Sequence, residues 1–136
     1  MWRRFGLGLC AGLTLMALAG GCAHDCRASQ VDAVDYSEGT VDPSGTVYET
    51  TPWQSNWLHF PAGRRYKLLH GLGRQPHSVN TYLSFAESPL TTGNNASESA
   101  GNQAVIEAVT EEAVTVRNDS CAEFWLRVTA TAAPQP

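Results

Sequence analysis

Between Ser78 and Ala86 the side chains alternate, with Val79, Thr81, Leu83 and Phe85 on one side and Asn80, Tyr82 and Ser84 on the other. A repeat of two belongs to a pleated strand, because helical faces recur about every 3.6 residues. Cys121 to Thr129 carries the same signature: Phe124, Leu126 and Val128 face one way, Trp125, Arg127 and Thr129 the other. Two such strands need a partner layer to bury their apolar faces, which restricts the chain to sheet-on-sheet solutions.

The remaining runs agree. Gly45 to Thr50, Ser55 to Phe60 and Arg65 to His70 are rich in β-branched and aromatic residues, and Pro52, Pro61-Ala62-Gly63 and Gly71-Leu72-Gly73 punctuate them. Ala104 to Val109 and Ala113 to Arg117 flank Thr110-Glu111-Glu112 as a hairpin would, and Asn118-Asp119-Ser120 turns the chain again. The fold expected is all-β: a single antiparallel sandwich of about seven or eight short strands, with a small β-barrel as the alternative. Residues 45–130 form this domain, residues 22–44 read as a polar tether, residues 91–102 as an exposed loop and residues 131–136 as a loose tail.

The amino terminus has a different character. Trp2-Arg3-Arg4 is followed by an uncharged apolar run from Phe5 to Ala19, then by Ala19-Gly20-Gly21-Cys22. A basic start, a greasy centre and a small-residue end make a secretory signal. With a cysteine directly after the small residues, it resembles a bacterial lipoprotein lipobox, although Ala19 stands where the usual box has leucine. The resemblance covers residues 2–22. It implies that residues 1–21 are removed and that Cys22 is lipidated, palmitate included, as the first residue of a membrane-anchored envelope protein. Several acyl chains hold a protein stably where one does so marginally. Ala23 follows the cysteine where aspartate would favour inner-membrane retention, so the outer membrane is the expected site. Ordinary cleavage after Ala19 or Ala23, releasing a soluble protein, is the alternative. A retained transmembrane helix fits less well, because Phe5 to Ala23 holds five glycines.

Four cysteines are present. Cys10 leaves with the signal and Cys22 goes to lipid, so Cys26 and Cys121 remain as an even pair in an oxidising compartment. A disulfide between them would close a 95-residue loop and restrict the unfolded chain by about 4–5 kcal/mol in the entropy model. Two free thiols are the alternative.

A second resemblance lies in the domain. His70-Gly71-Leu72-Gly73-Arg74-Gln75-Pro76, leading into Val79-Asn80-Thr81-Tyr82-Leu83, is similar to a strand–turn–strand of small sandwich domains in phage tail-fibre tips and H-type lectins. Val114 to Asn118 and Phe124 to Val128 fit the same picture. It implies a fold and brings no sugar-binding residues.

Without Arg3 and Arg4 the 9 basic side chains fall to 7 against 13 acidic ones, a net charge of −6. An acidic body argues against general binding to nucleic acid or to anionic membranes. Within it Arg64, Arg65, Lys67 and Arg74 form a local basic cluster that could meet an anionic partner or simply be a solvated face. Trp53, Trp57, Tyr66, Tyr82 and Trp125 are candidates for a stacking surface toward a protein or glycan, Trp57, Tyr82 and Trp125 foremost, or for core packing. His59, His70 and His77 lack HxH or HExxH spacing, so no metal and no cofactor is assigned. Adjacent Glu111 and Glu112 do not flank a substrate, and no nucleophile elbow or phosphate-cradling loop occurs. The function expected is a non-catalytic lipoprotein binding module of the envelope; a structural envelope lipoprotein without a dedicated ligand is the alternative, with a metal-handling protein a weaker one.

Overall fold

The strand signals resolve into two stacked sheets in the computed structural model, which describes residues 32–90, 93 and 96–134. The signal segment, Cys22, Cys26 and the tether before residue 32 lie outside the described residues. The smaller sheet contains β1 (Val34–Tyr36), β5 (Arg65–Leu69), β9 (Ala113–Arg117) and β8 (Val105–Val109), in the order β1-β5-β9-β8. The larger contains β2 (Thr40–Val41), β3 (Val47–Glu49), β10 (Phe124–Thr131), β6 (Ser78–Ser84) and β7 (Ser97–Glu98), in the order β2-β3-β10-β6-β7, with β4 (Leu58–Phe60) also paired to β10. The fold is an all-β sandwich, not a closed barrel.

Alternation determines which side chains meet between the sheets. Tyr66 and Leu68 of β5 and Val114 and Val116 of β9 point inward from one layer. Phe124, Leu126, Val128 and Ala130 of β10 point inward from the other, beside Phe60, Leu83 and Tyr48. Tyr48 sits opposite Ala130 in the register, so a large ring is matched by a small neighbour. Phe60 pairs with Phe124, and Leu58 and Leu83 flank Leu126.

His70 belongs to this core. It is 1% exposed, its Nδ1 accepts from the Leu72 N–H at 3.1 Å, and its Nε2 lies 3.1 Å from the Thr110 carbonyl. That arrangement requires the neutral ring with its proton on Nε2. Asn118 is equally buried. Its amide donates to the Phe60 and Ala122 carbonyls at 2.9 Å each, and its Oδ1 accepts from the Ser120 N–H at 3.0 Å. The Asn118-Asp119-Ser120 sequence is therefore a turn clamp.

Several boundaries differ from the sequence reading. Ten strands are described, three more than the lower expectation, because β1, β2 and β7 are too short to show a period. β1 and β2 fall within residues 22–44, so the sheet begins inside the segment read as a tether. β1 also pairs parallel to β5, with Val34 opposite Tyr66, so the sandwich is not wholly antiparallel. β7 occupies part of the 91–102 loop. Thr131 is the last residue of β10, and Ala132 is buried with its N–H on the Thr46 carbonyl at 2.8 Å, so the tail starts later than residue 131. Phe85 is the other difference. β6 stops at Ser84, the alternation runs past the end of the sheet, and Phe85 is left 80% exposed against Phe124.

The β2–β3 connection is built by one carboxylate. Asp42 Oδ1 accepts from the Thr46 and Val47 N–H groups at 2.8 Å each, while Oδ2 takes the Ser44 hydroxyl. These hydrogen bonds, led by the Ser44 hydroxyl and the Val47 amide, lower the Asp42 carboxyl from 3.8 to about 2. A depressed folded value contributes stability above the unfolded value, which is lost as pH falls through the folded one. Urea unfolding should show Asp42→Ala less stable than the native chain at neutral pH, with the gap closing between pH 3.8 and about 2. At Gly39 an added Cβ would run into the Tyr48 ring. Gly39→Ala should cost about 1–3 kcal/mol in the same measurement, as overpacking of a filled core does.

Candidate binding surface on the outer face of the larger sheet

The outward residues of β10 create an aromatic surface around a buried cation. Trp125, Arg127 and Thr129 alternate with the core side chains, so they emerge on the opposite face of the sheet. Register places His59 and Ser84 on either side of Trp125, and Tyr82 beside Arg127. The connection after β3 then folds back over this face. Trp53 lies with its ring centre 5.1 Å from that of Tyr82, edge to face, and 5.4 Å from that of Trp57. The Trp57 indole N–H donates to the Trp53 carbonyl at 3.3 Å, which closes the connection on itself.

Arg127 is the centre of the cluster and is 7% exposed. Its guanidinium carbon sits 4.7 Å from the Trp53 ring centre and 5.7 Å from that of Tyr82. Nε donates to the Thr51 carbonyl at 3.0 Å, and Nη2 meets the Glu49 carboxylate. Planar guanidinium suits this place, since its edges satisfy oxygen acceptors while its faces stack on rings.

The five aromatic candidates separate accordingly. Trp57 is 3% exposed and is packing, not surface. Tyr82 and Trp125 are half-buried, each with part of its ring in solvent. Trp53 is 36% exposed and forms the raised rim, whereas Tyr66 is buried in the core. His59 is also exposed; its ring lies 4.9 Å from that of Trp125, and its Nε2 is 2.7 Å from Glu123 Oε1. Trp53, Tyr82, Trp125 and His59 thus make a shallow platform flanked by a carboxylate.

The chain matches no protein-family model, no curated protein and no solved structure.

The basic candidates do not form a matching face. Arg65 is bound in a fork to Glu107, at 2.6 Å and 2.9 Å, and Arg117 shares that carboxylate at 2.6 Å while also meeting Asp119. The Arg65 bond and then the Arg117 bond hold the Glu107 carboxyl below its ordinary value. Arg74 donates to the Gly45 carbonyl at 2.8 Å and so serves a loop. Arg64 lies over the Tyr66 ring at 5.8 Å, and Lys67 is in register with Asp35 of β1. Two of the four cations are therefore committed to internal partners.

Among the described residues, no group of three His, Cys, Asp or Glu side chains gathers to hold a metal. His59 is on the outer face, His70 in the core and His77 on the surface, its backbone N–H on the Thr131 carbonyl at 2.9 Å. A cleft of about 370 Å³ opens between β6 and β8, lined by Val79, Asn80, Thr81, Glu98, Ser99 and Ile106. Among the described residues that line it, Glu98 is the ionisable one. Cys121 is disulfide-bonded, and its partner lies outside the described residues.

Loss of the central cation would leave Glu49 without its partner and Trp53 without its support. Because Glu49 is one-third exposed, Arg127→Ala should cost about 2–3 kcal/mol, less than for a fully buried pair. The check is the urea midpoint, together with a rise in the exposure of Trp53 to an aqueous quencher.

Proposed function

We propose that the chain is an exported lipoprotein, anchored in the bacterial outer membrane through Cys22, whose sandwich is a non-catalytic module binding a protein or glycan partner in the envelope. The observation that carries the binding role is the platform of Trp53, Tyr82, Trp125 and His59. Rings held partly in solvent by a fixed framework bind at a low cost in side-chain entropy, which is why such residues concentrate at interface hot spots. The anchor rests on the lipobox, and the disulfide of Cys121 is assigned to Cys26, the cysteine left once Cys22 carries lipid. The rings stand beside an exposed His59–Glu123 pair rather than over a cleft lined by such a pair, which supports a binding role.

A structural envelope lipoprotein is the second reading. It is favoured by how completely Trp57 and Arg127 are used in covering the sheet, since a face that satisfies itself needs no ligand.

Labelling growing cells with palmitate tests the anchor: the native chain should take up label, and Cys22→Ser should lose both label and membrane association. For the binding role, the lipidated chain in detergent would be applied to a glycan array and to envelope proteins by cross-linking. Trp125→Ala should weaken a retained partner about tenfold, as loss of a modest hot spot does. A native chain that retains nothing, or a variant indistinguishable from it, would leave the structural reading in place.

A further inference from the structure

We infer that the end of the sandwich carrying Cys121 rests on the bilayer, with the Phe85 ring inserted among the lipids; this rests on the lipoprotein reading above. Three loops meet at that end, and Cys121 lies in the one between β9 and β10. The Arg64 loop is tied to it by the Gly63 N–H on the Asn118 carbonyl at 3.0 Å and by the Asn118 N–H on the Arg64 carbonyl at 2.9 Å. Phe85, just past β6, has its ring centre 5.2 Å from that of Phe124, which is three residues after Cys121.

Chain length says what covers this end. Cys26 lies four positions after Cys22, a span of at most about 14 Å when fully extended. A disulfide adds about 6 Å between α-carbons. Cys121 is therefore held within about 20 Å of the lipidated residue, whereas the opposite end lies about 26 Å further along the eight residues of β10.

The surface chemistry of this end suits an interface. Phe85 is the most exposed of the large apolar side chains described, at 80%, twice the value of Ile106 on the β8 edge. An aromatic ring standing free beside a short tether enters the headgroup boundary to a depth of roughly 5–10 Å. The acidic side chains nearby are engaged: Asp119 with Arg117, Glu123 with His59, and Glu87 with the Asn56 amide. Arg64 has a ring contact but no ion pair among the described residues, which leaves a cation for anionic headgroups.

The test uses the full chain, lipidated in its own cell and reconstituted into phosphatidylcholine–phosphatidylglycerol vesicles with brominated acyl chains, which quench tryptophan on contact. Phe85→Trp should add emission that these lipids quench strongly. Val41→Trp, an exposed site at the opposite end, should add emission that they do not quench. Equal, weak quenching of the two variants on a chain whose mass shows lipidated Cys22 would overturn the inference and leave the lipoprotein reading standing. Strong quenching of the native tryptophans would instead lay the outer sheet face on the bilayer, also against the inference. An unmodified Cys22 would remove both.

Discussion

Strand β10 is the element that every other part of the larger sheet needs. Along one edge it pairs with β6 from Trp125 to Thr131; along the other it pairs first with β4 and then with β3. Its inner side chains complete the core and its outer ones found the aromatic cluster. The pleat links the two roles, since a slip of one residue would exchange Leu126 and Val128 for Trp125 and Arg127. Hydrophobic burial therefore fixes the position of the surface residues as firmly as that of the core.

The outer face shows how an arginine in a strand of apolar residues is accommodated. Removing a guanidinium from water is costly unless its donors are met. Here the covering connection after β3 supplies a backbone carbonyl, Glu49 supplies charge, and two rings supply their faces. Trp57 is buried as a consequence, because it closes the connection beneath Trp53. The part left to solvent is the rim of Trp53 with Tyr82, Trp125 and His59, which is the region a partner would meet.

Much of this fold was readable in the chain. β6 and β10 announce themselves through alternation, and β9 coincides with the run from Ala113 to Arg117. The inward and outward assignments on β10 follow from the same pattern. Strands β1, β2 and β7 were not readable, since two or three residues cannot display a period and are held by the backbone of a neighbour. Of the aromatic binding candidates, Trp53, Tyr82 and Trp125 remain at the surface while Trp57 and Tyr66 do not. Arg127, which was not a candidate, carried only a faint signal: a charge on the outward side of an otherwise apolar strand.

Sequence alone determined the sandwich class, the pattern of strands and the resemblance of the first residues to a lipoprotein signal, because these depend on local periodicity and on the order of neighbouring residues. Tertiary structure decided the rest. Whether an outward tryptophan is free or covered depends on where a remote connection folds, and whether an arginine is available depends on which carboxylate is brought beside it. Those are distances between segments far apart in the chain, and they arise when the two sheets close on each other.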